Sequence, residues 1–252
     1  MVRLMFISFF AYAWASTPER LVVAAALTVG FAVLARRAHG VSRSGAFAGG
    51  LACFALFLGA GPGAFATLAA LFAATWISTQ LGYRRKLELG LAERREGRNA
   101  GQVLANLAVA AVGAVAFGAT GNAAWIVALV AALAEAATDT VASEVGQSQR
   151  REAWMITTGA RVSAGTDGGV TFFGTVAGLA AGLATAVVAV GCGIVARQRV
   201  WIAVVAGFAG MLADSLMGAT IQRRGWISNQ GVNFVGTLMA AAMAYGIAMM
   251  MG

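Results

Sequence analysis

Residues 122–145 read NAAWIVALVAALAEAATDTVASEV. The first half of this stretch is an unbroken apolar run. Coiled as a helix rising about 1.5 Å per residue, the whole stretch is long enough to cross the ~30 Å hydrocarbon core of a bilayer. Its second half carries Glu135, Asp139 and Glu144 among the hydroxyls of Thr138, Thr140 and Ser143. Ionisable groups at membrane depth are costly and mark function by default. Outward from this stretch, apolar runs recur along the whole chain, at roughly 4–15, 20–35, 46–59, 63–82, 101–118, 171–196, 200–221 and 234–251. Composition agrees: 60% of the 252 residues are hydrophobic and 11% charged, against about 25% charged in a soluble domain. The reading is an all-α polytopic integral membrane helix bundle of about nine spans, with seven to nine plausible. Several spans fall short of the ~20 residues that cross a bilayer upright, so some helices are expected to be short, broken, tilted or shielded. Ala and Gly outnumber Leu and Ile, which favours close helix–helix approach.

The net charge of +8 has a membrane explanation, because cytoplasmic loops carry excess Lys and Arg; no nucleic-acid partner is needed. With the N-terminus inside and the spans alternating, Arg3, Arg36, Arg37, Arg43, Arg84, Arg85, Lys86, Arg94, Arg95, Arg98, Arg150, Arg151, Arg161, Arg223 and Arg224 fall inside. Only Arg20, Arg197 and Arg199 fall outside. The bias predicts a cytoplasmic N-terminus, and a bacterial-type plasma membrane is the expected location. Met1–Ser16 reads as a short first span and not as a cleavable signal. The chain reads as one membrane domain over 1–252, with peripheral spans in 1–35 and a motif-bearing bundle in 36–252. Its long loops, near 83–100 and 146–170, are cytoplasmic, so the protein is expected to work at that face.

Four of the ten acidic residues lie in apolar spans: Glu135, Asp139, Glu144 and Asp214. Glu135 and Asp139 are one helical turn apart on one face. Carboxylates among hydroxyls are hard oxygen ligands that suit Mg²⁺ when phosphates complete the shell; the alternative is a salt bridge or polar pair between helices. Ser42-Arg43-Ser44-Gly45-Ala46 begins a span, where unpaired N–H groups, hydroxyls and an Arg make a phosphate seat or else a plain Ser cap. Thr166-Asp167-Gly168-Gly169-Val170-Thr171 brings a glycine pair to a helix entry, either for anion contact or as a flexible turn, with Arg161 just upstream. Asn99, Gln102 and Asn106 line one helix face after Arg98, as Gln222, Asn229 and Asn233 do after Asp214; such amides serve a site or glue helices. An internal echo links Gly169–Thr175 to Gly231–Thr237, identical at five of seven positions, and more weakly to Gly40–Ala46. This suggests one helix entry used three times.

Some chemistry is missing. No P-loop is present, and His39 is the only histidine, which leaves no Ser/His/Asp triad and no His/Cys metal cluster. Cys53 and Cys192 sit in apolar runs and read as packing residues.

Taken in order, Ser42–Ala46, the Asn99-x-Gly101-Gln102-Val103-x-x-Asn106 run, Asp139–Gly146, the Gly168-Gly169 entry, and Asp214–Ala219 with Gln222 and Asn233 resemble a known membrane family over about 36–250. It is the family called domain of unknown function 92, or transmembrane protein 19, which includes plant phytyl-phosphate kinase. The resemblance implies a membrane-embedded kinase that turns an isoprenoid (phytyl or prenyl) monophosphate into the diphosphate, with CTP or ATP as donor and Mg²⁺ as cofactor. Members often have Trp and Thr where this chain has Val141 and Ser143, and Ser in the glycine turn where it has Asp167.

Phosphoryl transfer asks for metal, positive charge and in-line positioning more than covalent chemistry. On that footing Asp139, Glu144 and Asp214 are the expected metal-holding and catalytic residues. Arg43, Arg98 and Arg161 are expected to clamp phosphates, and Ser42, Ser44, Gly168 and Gly169 to donate at helix entries. Asn99, Gln102, Asn106, Gln222, Asn229 and Asn233 would shape the polar pocket. The expected partners are the isoprenoid monophosphate, the nucleoside triphosphate and the bilayer, with bulky residues between spans forming a groove for the tail. The alternatives are a transporter or flippase of a phosphorylated lipid, and an assembly protein in which the polar residues are helix glue.

Overall fold

The computed structural model describes residues 17–149 and 152–251. The expected first span at 4–15, with Arg3, Arg150 and Arg151, lies outside the described residues. Eight helices are long and apolar enough to cross a membrane among the described residues, one for each of the other eight expected spans. They are α1 (Thr17–Arg37), α2 (Arg43–Ala60), α3 (Pro62–Gln80), α5 (Ala100–Thr120), α6 (Ala124–Ser148), α7 (Phe172–Gly191), α8 (Val200–Met217) and α9 (Asn229–Met250). A short α4 (Tyr83–Glu88) lies in the first long loop. Some spans are longer than the apolar runs suggested, as 46–59 became 43–60, because polar caps extend a helix beyond its hydrophobic core, while 171–196 shortened to 172–191.

Caps set the ends. Ser42, Thr171 and Ser228 precede α2, α7 and α9, and each accepts a hydrogen bond from the N–H of a glycine three residues on: Gly45, Gly174 and Gly231. The echo is therefore real as a capping device, in altered register. Gly40–Ala46 matches Gly169–Thr175 cap for cap, whereas the closer sequence match, Gly231–Thr237, begins inside α9. Gly61, at φ +80°, closes α2 through its N–H to the Phe57 carbonyl and turns the chain into Pro62, the first residue of α3.

The helix quoted at the outset is the axle. α6 packs against α3, α4, α5, α7, α8 and α9, and nearly every residue from Ala124 to Val141 is buried. Small residues permit this. Gly174, Gly178 and Gly182 of α7 lie against Ala142, Thr138 and Ala134 of α6, so closely that a Cβ on any of the three would strike an α6 backbone or side-chain oxygen. By contrast α1 is peripheral: it packs chiefly on α2 and reaches α3 through Phe31, whose ring meets Phe65 and Phe72 edge-on at 5.5 and 5.3 Å.

Strands were not anticipated. The second long loop folds into a three-stranded antiparallel sheet, β2-β1-β3, from Ala153–Met155 (β1), Arg161–Val162 (β2) and Gly169–Val170 (β3). Trp154 sits opposite both Arg161 and Val170. This sheet, α4, the starts of α2, α5, α7 and α9, and the ends of α1, α3, α6 and α8 share one end of the bundle. Of the described basic residues only Arg20, Arg197 and Arg199 belong to the other end, so the charge asymmetry read from the sequence is a spatial one. Trp76, Trp154 and Trp226 edge the basic end and Trp125 and Trp201 the opposite one, as aromatic belts do.

Candidate functional site

The last two turns of α6 leave the apolar core and enter a polar cavity of about 450 Å³ at the basic end. α6 contributes Asp139, Thr140, Ser143 and Glu144, and α8 contributes Asp214 and Ser215. Arg98, Gln102 and Asn106 line it from the start of α5, Gln222 from the π-helical turn Gly218–Gln222 that continues α8, and Asn229 and Asn233 from α9. The strand-bearing loop closes it with Thr166, Asp167, Gly168 and Gly169. Four stretches far apart in the chain, 98–106, 139–144, 166–169 and 214–233, thus meet round one space.

The charges interact. Arg98 faces Asp139, and Asp139 and Asp167 both act electrostatically on Asp214. Arg98 also lies 3.8 Å from Glu93 and 3.9 Å from Glu144, and one of its terminal nitrogens is 3.5 Å from the Thr140 hydroxyl. The Asp214 Oδ2 is buried and has no hydrogen-bond partner among the described residues; the same is true of Asn106 Oδ1 and both oxygens of Glu135. Glu135 lies one turn deeper than Asp139, in a slot that Gly210 and Gly236 leave open: a Cβ at either would stand 2.7 Å from its side chain.

These donors fit a hard cation. Asp139, Asp214 and Asp167 are carboxylates beside Ser215 and Thr140 hydroxyls, and one carboxylate oxygen is orphaned. No three His, Cys, Asp or Glu side chains among the described residues are grouped to hold a metal by themselves. Mg²⁺ does not require such a group, since it takes one or two carboxylates and completes its shell with phosphate and water.

Some expected residues have other work. Glu144 is engaged by the ammonium of Lys86, which also donates to the carbonyls of Ser78 and Thr79, while the Thr79 hydroxyl donates to Glu144 at 3.0 Å. Its charge is matched inside the protein, although its side chain reaches the cavity wall. Ser42, Arg43, Ser44, Asn99 and Arg161 do not line the cavity. The Ser42 N–H donates to the Arg98 carbonyl at 2.9 Å, the Arg98 N–H donates to the Gly40 carbonyl at 3.1 Å, and Gly45 lies so close to the Arg98 carbonyl that a side chain there would overlap it. Residues 40–45 therefore hold Arg98 in place. Arg43 is exposed beside Arg36 and Arg37 on an outer groove of α1 and α2. Asn99 caps α5 in a reciprocal box with Gln102. Arg161 is exposed, 3.4 Å from Glu152 and stacked over Trp154. Gly168 and Gly169 border the cavity, but the Gly169 N–H is spent on the Thr166 carbonyl, and Gly168, at φ +75°, packs directly on Ala219.

Two residues escaped the sequence reading. Lys86 enters the sequence reading only as one of the basic residues on the inner side, yet it is fully buried; its being the one Lys among 17 Arg is the available signal. Glu93 was passed over as a loop residue, yet it accepts a 3.0 Å hydrogen bond from Gln102 and lies beside Arg98.

A family model described as integral membrane protein DUF92 matches residues 26–241. The uncharacterized membrane protein sll0875 of Synechocystis is 36% identical over 174 residues, 67% of each chain. Protein VTE6, chloroplastic, of Arabidopsis thaliana is 28% identical over 218 residues, 81% of this chain and 64% of that one. The uncharacterized membrane protein MJ0933 of Methanocaldococcus jannaschii is 34% identical over 115 residues, 45% of this chain and 48% of that one. The chain thus spans about half to two thirds of these relatives' lengths. No solved structure matches.

Proposed function

Because this chain belongs to the integral membrane DUF92 family, we propose that it is an isoprenoid monophosphate kinase, converting a phytyl- or prenyl-type monophosphate to the diphosphate at the cytoplasmic face. The observation that carries this reading is one cavity, at one end of an apolar bundle, that Asp139, Asp167 and Asp214 line together with Arg98 and an amide rim. Its volume suits a nucleotide-sized ligand. The family includes plant phytyl-phosphate kinase, which supports the substrate class.

In this mechanism an oxygen of the lipid monophosphate attacks the terminal phosphorus of CTP or ATP. The bond from that phosphorus to the bridging oxygen breaks, and the nucleoside diphosphate leaves with the electron pair. The attacking oxygen already carries negative charge, so no strong base is required. Asp139 and Asp214 are the residues that would hold Mg²⁺, which when bound neutralises phosphate charge. Arg98 offers a planar fork to phosphoryl oxygens. Gln222, Asn229 and Asn233 orient the polyphosphate by hydrogen bonds. A lipid-phosphate transporter would need polar groups continuing through the bundle, and the far half of α6, from Ala124 to Ala134, is wholly apolar.

Purified protein in lipid nanodiscs, given geranylgeranyl or phytyl monophosphate with Mg²⁺ and CTP or ATP, is expected to form the diphosphate. Asp139→Asn and Asp214→Asn are each expected to lower kcat roughly 100-fold or more while the protein elutes as wild type. No diphosphate from any prenyl monophosphate, short or long, rejects the proposal; full activity in both variants removes these carboxylates from the site.

A further inference from the structure

A second space adjoins the polar cavity. It is an apolar groove walled by α1, α2, α3 and the start of α5, and it shares Glu93, Arg98 and Asn106 with the cavity as lining. On α3 its wall runs from Gln80, near the polar end, to Leu68, a distance of about 18 Å along a helix. Phe31, Phe72 and Trp76 line it, and on α2 the wall is Gly45, Ala46, Gly49 and Gly50, which present no more than one methyl group. α1, the least buried span among the described residues, lines one side of it with Phe31, Ala32 and Ala35. At the junction stands the Arg98 guanidinium, with the unpartnered Oδ1 of Asn106 beside the same junction.

We infer that this groove is the seat of the substrate's hydrocarbon tail, with the phosphate head passing Arg98 into the polar cavity. The inference deepens the kinase reading and rests on it. A ligand filling both spaces must be anionic at one end and apolar along most of its length. A free nucleotide has no part for the groove, and a plain hydrocarbon has none for Arg98. A long chain can lie along the whole wall whereas a short one reaches only the Arg98 end, so a groove of this length separates long-chain from short-chain monophosphates. Entry is sideways, past α1, because that helix meets the bundle mainly through α2 and the Phe31 ring contacts.

The test uses a photoactivatable geranylgeranyl monophosphate on the full-length protein in nanodiscs, with mapping of the cross-linked peptides. Adducts are expected on residues 31–35 and 68–76, displaced by geranylgeranyl monophosphate and not by isopentenyl monophosphate. Gly49→Leu, whose Cβ meets only Val103 at an ordinary 3.6 Å, is expected to lower labelling at least ten-fold and raise KM for the long substrate. Phe72→Ala widens the groove and is expected to keep the labelling. Adducts confined to the outer α1–α2 surface around Phe47 and Phe54, labelling displaced only by phospholipid, or undiminished labelling in Gly49→Leu would overturn the inference. The two readings fail separately: displaceable groove labelling without diphosphate formation sinks the kinase and spares the tail seat, and diphosphate formation without groove labelling does the reverse.

Discussion

Lys86 and Glu144 show how one buried pair changes the reading of a carboxylate. The ammonium has two carbonyl acceptors and a carboxylate, and it is fully buried. Such a pair adds little net stability over an apolar substitute, but removing one member strands the other charge. Lys86→Met is therefore expected to cost about 3–5 kcal/mol, seen as a lower apparent Tm in detergent, and Lys86→Met with Glu144→Gln is expected to recover most of it. A single variant as stable as wild type would dissolve the argument. The residue scale is also where the sequence was least legible. Asp139, Asp214, Arg98, Asn106, Gln222, Asn229 and Asn233 all reached the cavity as expected. Glu144 also lines the cavity but spends its charge on a lysine 58 positions away, and no local pattern reveals that. Ser42 and Ser44 had the right location and a different task, because the same hydroxyl that can seat a phosphate can cap a helix.

Among the elements, α7 depends on its glycines. Gly178 lies against the Thr138 carbonyl and Ala142 of α6, and side-chain volume there must push two helices apart. Gly178→Val is expected to destabilise by about 1–3 kcal/mol and to depress activity, since α7 carries Thr171 and Thr175 on the cavity wall. Gly191→Ala, at a position with nothing within 4 Å, is the neutral control. A thermal-shift series on both variants decides between packing and a general intolerance of substitution in α7. The helices themselves were legible, since eight long apolar runs have one economical solution in a bilayer. The small sheet was not: strands of two or three residues are too short to carry an alternating pattern.

For the whole molecule, the open prediction is orientation. The described basic residues gather at the cavity end, and the charge rule makes that end cytoplasmic. In a Cys192→Ser background, which leaves only the buried Cys53, Glu96→Cys is expected to react with an impermeant maleimide only from the cytoplasmic side and Thr120→Cys only from the other. The reverse pattern would carry the cavity away from the cytoplasmic nucleotide pool. Membrane residence, the number of described spans and the polar motifs were settled by the sequence alone, because hydropathy and charge act on each segment independently of its neighbours. Which polar groups would meet was decided only in three dimensions. A helix rich in Ala and Gly looks much the same from every side, so its rotation about its own axis is set by the glycine contacts it makes with other helices, and that rotation chooses which carboxylate meets a lysine and which is left without one.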